Sequence, residues 1–173
     1  MQQFGVRTKV IDGKPHSVAF PYGNGLKVRG IDKKEFTVIG EFKDAGLFLQ
    51  DKFDPGSRSS ITIFEGEIDA LSGIEMLRNE SACVSIKNGA AAARRELSDP
   101  EIHKYVDSFE KIYLCFDNDE PGKKAIKSLA GLFDFKKVYH VEFHKHKDAN
   151  DYLQAKEADD FYKTWKSSSR YAP

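Results

Sequence analysis

The stretch Ile61 to Ser72, Ile-Thr-Ile-Phe-Glu-Gly-Glu-Ile-Asp-Ala-Leu-Ser, constrains this chain more than any other. Its first four residues are β-branched or aromatic and suit a strand. They run straight into three carboxylates, Glu65, Glu67 and Asp69, wrapped round one glycine. Leu71, Ile74 and Leu77 then recur at helical spacing, so the acids are expected on a strand-to-helix turn. In an open parallel α/β sheet, ligands collect outside the carboxyl ends of the strands, and Gly66 is expected to let the backbone turn sharply there without a Cβ in the way. A second address of the same kind follows. Ile112 to Phe116 is apolar and ends directly in Asp117-Asn118-Asp119-Glu120-Pro121-Gly122, ahead of a helical pattern from Lys123 to Phe133. Two neighbouring strands ending in acids predict a carboxylate cluster.

From Ile61 the pattern alternates strand and helix. Strands are expected at 61–64, 82–86, 112–116 and 137–142, and helices at 70–79, 90–97, 100–106 and 122–132, with two more at 149–154 and 158–165. Such alternation predicts an α/β core of about four mostly parallel strands flanked by helices, joined by right-handed crossovers. The strands are nearly all apolar, as they must be when both faces are covered.

Residues 6–39 read differently, as short β-prone runs separated by Asp12-Gly13 and by Pro21-Tyr22-Gly23-Asn24-Gly25, which predicts a small antiparallel β subdomain in front of the core. A short helix is expected at 44–52. The loop Asp54-Pro55-Gly56-Ser57-Arg58-Ser59-Ser60 is the expected boundary, giving a β-rich basic subdomain at 1–53, a loop at 54–60, the α/β domain at 61–166 and a tail or linker at 167–173. Lys27 and Arg29 are two apart on one strand and share a face, with Lys33, Lys34 and Lys43 following. Basic pairs on strands are commonly solvated, and here they also make a wall suited to phosphates.

Composition narrows the class. The chain has 173 residues, 40% of them hydrophobic, which is enough for a real core in one domain with a small accessory subdomain. Its 27 basic and 27 acidic residues cancel, so whole-chain charge argues neither for nor against nucleic acid. Cys83 and Cys115 lie singly in apolar runs and read as buried reduced thiols, which excludes a four-cysteine zinc ribbon within these residues. No run approaches the roughly 18 apolar residues of a membrane span. His140, His144 and His146 alternate with other residues on a strand and are read as surface rather than a zinc site. There is no Gly-Lys-Ser/Thr phosphate loop, so no helicase motor is expected in this stretch.

Two basic or glycine-containing segments stay open. Lys87-Asn88-Gly89, at the end of the second parallel strand, suits close backbone approach to a phosphate and equally suits an ordinary capped turn. Arg94 and Arg95 fit solvent or phosphate.

Taken together, Glu65-Gly66-Glu67-Ile68-Asp69 and Phe116-Asp117-Asn118-Asp119-Glu120-Pro121-Gly122 resemble the paired acidic motifs of a TOPRIM domain, the fold shared by bacterial-type primases, topoisomerases and some nucleases. With Lys27-Val28-Arg29 and Lys147-Asp148-Ala149-Asn150-Asp151, the chain is similar to the primase half of T-odd phage primase-helicases, over roughly residues 19–165. The resemblance implies a TOPRIM-like core and a DNA primase catalytic core: magnesium-dependent synthesis of short RNA primers on single-stranded DNA, from ribonucleoside triphosphates, beside a helicase domain or partner. It implies Glu65, Asp69, Asp117 and Asp119 as catalytic, the same four with Asp148 as ligands of magnesium or manganese, and Lys27, Arg29, Lys33, Lys34, Lys43, Lys87, Asn88 and Gly89 as contacts to nucleotide or template. Glu65 is by resemblance a general base or a metal-positioning acid. A cytoplasmic setting is implied, the host cytoplasm for a phage-encoded chain. The same acids would also serve a TOPRIM nuclease or topoisomerase, and a non-catalytic DNA-binding module derived from a primase is a further alternative. The physical chemistry agrees on the cation, because carboxylates this close cannot all stay ionised without one, and an all-oxygen set favours magnesium or manganese over zinc.

Overall fold

The turn at Asp12-Gly13 has positive φ at both residues, 48° and 74°, the conformation that lets a two-residue turn follow the twist of its strands. It joins β1 (Arg7–Ile11) to β2 (Lys14–Tyr22), and β3 (Gly25–Gly30) and β4 (Phe36–Gly40) complete a four-stranded antiparallel sheet in that order. The structure, a computed structural model, describes residues 2–33 and 35–171; Lys34 lies outside the described residues. It divides into two compact units, Met1–Gln50 and Asp51–Pro173.

In the first unit Phe20 pairs with Lys27, Tyr22 with Gly25, Lys27 with Val38 and Arg29 with Phe36, so these residues share one face of the sheet. Phe20 and Tyr22 are buried on that face, both against Phe48 with ring centroids 5.6 Å apart. Residues 44–52 are not the expected helix. They form only a 3-10 turn at Gln50–Lys52, because Leu49 takes φ 65° and the Gln50 side chain accepts the Leu47 N–H at 2.9 Å. Burying Leu47, Phe48 and Leu49 in succession is incompatible with a one-sided helix.

The second unit is a three-layer α/β fold. Its strands are β5 (Ser60–Phe64), β6 (Ala82–Ser85), β7 (Lys111–Cys115), β8 (Val138–His140) and β9 (Ser169–Arg170), in the order β6-β5-β7-β8-β9. All neighbours are parallel except β8 and β9. Its helices are α1 (Glu67–Met76), α2 (Ala93–Leu97), α3 (Pro100–Asp107), α4 (Glu120–Leu129), α5 (Ala149–Gln154) and α6 (Ala158–Lys166). The TOPRIM-like α/β class expected from sequence is therefore the one observed, with β9 as an added antiparallel edge where a frayed tail was expected. Strand β5 is buried along its whole length, as a central parallel strand must be.

Helix positions follow from the apolar spacing. In α4, Ala125, Ile126 and Leu129 are buried at i, i+1 and i+4; in α6, Phe161 and Trp165 are buried at i and i+4. The Trp165 indole N–H donates to the Thr62 hydroxyl at 3.1 Å, and its ring packs on Tyr113, centroids 4.6 Å apart. The Phe64 ring lies against Gly73 so closely that a Cβ there would overlap it, which brings α1 down onto the end of β5.

Candidate active site

Parallel pairing puts the ends of β5, β6, β7 and β8 at one edge of the sheet, and the segments leaving them carry the site. Glu65 and Gly66 leave β5, with Asp69 in the first turn of α1; residues 87–89 follow β6; Asp117 and Asp119 follow β7; Asp148 precedes α5. Gly66 is the N-cap of α1 at φ −128°, an extended conformation open to any residue. Its freedom of rotation is not what the turn uses. What matters is space, since a Cβ there would stand 3.0 Å from Asp69 Oδ2.

Four of the acids accept backbone N–H groups, Glu65 from Ala90 and Asp117 and the other three from residues that open the helices. Asp119 caps α4, its Oδ1 accepting from Gly122 at 3.0 Å, and Asp148 caps α5, its Oδ1 accepting from Asp151 at 2.8 Å. Asp69 Oδ1 accepts the Asn150 N–H at 3.1 Å, tying α1 to the start of α5. The β7 loop is pinned to the following segment by Asn118, whose backbone N–H donates to the Lys147 carbonyl at 2.9 Å and whose side-chain amide donates to the Phe143 carbonyl at 2.8 Å.

Repulsion links these acids in pairs: Asp117 acts on Glu65, Asp69 and Asp148, Asp119 acts on Glu65, and Asp148 and Glu65 act on Asp69. Burial raises the Asp69 carboxyl to about 7, helped by Asp148, Asp117 and Glu65 and opposed by the Asn150 N–H. Burial also raises Glu65, with Asp117 and Asp119 adding to it and the Ala90 and Asp117 backbone N–H groups opposing. Asp148 is raised by burial too, with further repulsion from Asp151 and Asp117. Asp119 is the exception, held below its ordinary value chiefly by the Gly122 N–H and then by Lys147. The Lys147 ammonium stands 2.9 Å from Asp117 Oδ2 and 3.4 Å from Asp119 Oδ2, and this pairing holds its proton well above the usual lysine range.

This donor set fits a hard divalent cation. It is all carboxylate oxygen, it is short of positive charge, and Glu65 Oε2 is buried with no hydrogen-bond partner. Among the described residues, however, no three His, Cys, Asp or Glu side chains converge as they stand on one point ready for an ion. One oxygen each of Asp69, Asp119 and Asp148 accepts a backbone N–H, and the Lys147 ammonium spans Asp117 and Asp119.

Residues 87–89 lie beside Glu65: Gly89 has φ 73°, and a Cβ on it would be 4.0 Å from Glu65 Oε1. The Lys87 and Asn88 N–H groups donate to the buried Glu96 carboxylate at 2.7 and 3.1 Å, so these two amides close a capped turn. Lys27 and Arg29 are half-buried in the first unit, where the Lys27 ammonium sits 4.8 Å above the Phe36 ring; Lys33 and Lys43 are exposed there. Arg94 donates to the Ser128 carbonyl.

Sequence reading missed Lys147 and Glu96 as site residues. Lys147 had a signal, a lysine directly before the helix-capping Asp148 at the acidic edge of the sheet. Glu96 had none, since an acid after Arg94-Arg95 in a short helix looks solvated until the fold turns it inward.

A family model described as Toprim-like matches residues 62–153. The chain is 35% identical over 155 residues, 87% of its length, to the DNA helicase/primase of Enterobacteria phage T3, and spans 26% of that relative. It superposes on the primase fragment of the bacteriophage T7 primase-helicase protein with a TM-score of 0.81 at 31% identity, covering 95% of this chain and 68% of that one. Against a structure of bacteriophage T7 lagging-strand DNA polymerase interacting with primase domains of two gp4 subunits, with an RNA/DNA hybrid and dTTP, the TM-score is 0.84 at 29% identity, with 98% and 86% covered. The Aquifex aeolicus primase, with a TM-score of 0.63 at 16% identity over 93% of this chain and 43% of that one, shares the fold. With more than half of its 173 residues matched, this chain belongs to the Toprim-like family.

Proposed function

We infer that the chain is the catalytic core of a DNA primase, which joins ribonucleotides into short primers on a single-stranded DNA template. One observation carries this reading: in the segments that leave adjacent parallel strands, Asp117 repels Glu65, Asp69 and Asp148 and Asp119 repels Glu65, in a chain similar at 31% identity to a primase fragment. The chain spans only part of its curated relative, so the wider setting is part of the proposal. It includes a helicase domain or partner and, for a phage-encoded chain, the host cytoplasm.

Glu65, Asp69, Asp117, Asp119 and Asp148 would hold magnesium or manganese. Such an ion supplies charge neutralisation for the phosphoryl group in flight and favours ionisation of the attacking hydroxyl. Glu65 is the residue assigned to the 3′ hydroxyl. Its carboxyl is raised by burial, which makes it a stronger base near neutral pH, and its Oε2 is free to accept a proton. Asp119 and Asp148 present their second oxygens from rigid helix caps, and Asp69 is fixed by Asn150. Lys27, Arg29, Lys33, Lys34 and Lys43 are assigned to the triphosphate and the template backbone, as cations whose contacts fix position rather than sequence. Residues Lys87, Asn88 and Gly89 are assigned a supporting part, since the two amides bound to Glu96 are not available to a phosphate and the turn instead walls Glu65.

The test is extension of a supplied short oligoribonucleotide on a single-stranded template with magnesium, run beside plasmid nicking. Templated ribonucleotide addition supports the reading. Magnesium-dependent nicking without addition, by this chain and by longer chains that contain it, moves the assignment to strand cleavage.

A further inference from the structure

The Lys147 ammonium is placed where a divalent cation would be needed. It lies between Asp117 Oδ2 at 2.9 Å and Asp119 Oδ2 at 3.4 Å, and Asp117 is the acid that repels Glu65, Asp69 and Asp148 alike. The lysine itself is rigidly introduced, because its carbonyl accepts the Asn118 N–H and the next residue caps α5. Its side chain is 54% exposed, so the ammonium has water to move into, whereas Asp117 is only 18% exposed and stays.

We propose that Lys147 is a built-in counter-cation of the acid cluster, which holds Asp117 and Asp119 together without metal and leaves them when a divalent ion binds. It is a positioning residue whose ammonium and the ion exclude each other at the same two oxygens. The exchange keeps the cluster ordered before loading and sets a threshold for metal affinity. The proposal rests on the metal-binding part of the functional reading and not on the polymerase chemistry.

The test uses the 173-residue chain. Manganese binding is followed by the loss of free-ion electron paramagnetic resonance signal, for wild type, Lys147→Met, Lys147→Arg and Lys123→Met. Lys123 is a second cation acting on Asp119 through space without an ion pair to it, so its removal measures the general field effect. Lys147→Met is expected to bind manganese roughly two- to fivefold tighter, the range set by an exposed ion pair, with Lys147→Arg near wild type and Lys123→Met showing a smaller gain. In wild type, acetylation of Lys147 mapped by mass spectrometry should speed up when magnesium is added, while Lys136 does not change. Affinity unchanged or weakened in Lys147→Met, or gains equal to those of Lys123→Met, overturns the exchange, and so does metal-independent acetylation of Lys147. If wild type binds no manganese that Asp117→Asn removes, the metal site and the exchange fall together, whereas primer extension tests the polymerase reading separately.

Discussion

Gly122 packs so tightly against Asp117 that a Cβ on the glycine would overlap the aspartate's carbonyl oxygen. The first turn of α4 therefore lies directly on the backbone that presents Asp117, while the Gly122 N–H fixes Asp119. Both partners of the clash are backbone, and neither can rotate away.

Gly122→Ala should accordingly destabilise the chain by roughly 1–3 kcal/mol, the usual cost of overpacking, and should disturb both acids. Gly131→Ala is the control, because nothing lies within 4 Å of a Cβ built there. Urea unfolding midpoints of the two variants check this. Equal stability of both would show that the α4 turn is softer than this contact implies.

The raised acids set a pH dependence with a definite sign. Between the ordinary 3.8 of an aspartate and about 7, Asp69 is protonated when folded and ionised when unfolded, so the folded state binds more protons. Metal-free stability from this group falls as pH rises through that window and is flat above it. Glu65 and Asp148 act in the same direction, while Asp119, held below its ordinary value, contributes stability that is lost only when pH drops beneath the window. Asp69→Asn keeps an acceptor for the Asn150 N–H and removes the charge. Melting temperatures in chelator should be higher for the variant above pH 7 and converge with wild type near pH 4. Parallel profiles would remove Asp69 as the source.

What could be read from sequence followed from how local the cause was. The β5 to α1 turn and the β7 to α4 turn were legible because an apolar run, a cluster of acids and a helical repeat are adjacent in the chain. For Gly66 the expected need for a position without a Cβ agrees with the 3.0 Å approach of Asp69 Oδ2, whereas its extended φ of −128° is open to any residue. Strand β9 was not legible: Ser169 and Arg170 have no strand pattern and pair with His140 and Tyr139 only once the sheet exists. Leu47-Phe48-Leu49 looked helical, yet burial of all three residues requires the positive φ at Leu49. Lys147 was visible as a motif residue, but its place between two aspartates depends on Asn118 tying two loops together.

The basic strand yields a test of binding. Lys27→Ala and Arg29→Ala should weaken template or nucleotide binding, and wild-type binding should fall with added salt as phosphate contacts release counterions. Stability should change little, with about 0.5–1 kcal/mol lost at Lys27 from its contact with the Phe36 ring. Fluorescence anisotropy across a salt series, beside thermal unfolding, reads both quantities. Unchanged affinity with a large drop in melting temperature would make these residues structural.

The last prediction concerns Glu65, among the described residues the one acid with a buried oxygen that has no hydrogen-bond partner. Glu65→Gln keeps size and shape but removes the charge and the basic oxygen, in a position where burial and two neighbouring aspartates already disfavour ionisation. If this carboxylate takes the proton of the attacking hydroxyl, or positions the ion beside it, primer extension should fall by on the order of a hundredfold or more, the range for loss of a general base. Template binding should survive, because no template-binding residue is altered, and metal-free stability should rise slightly as a buried charge is removed. Measuring extension over pH sharpens the assignment. Wild type should lose activity as pH falls through the raised Glu65 value, and the variant's residual activity should lack that limb. Extension at wild-type rates by Glu65→Gln would take the proton-transfer role from this residue, whereas loss of template binding in parallel with activity would make it a structural acid of the β5 turn.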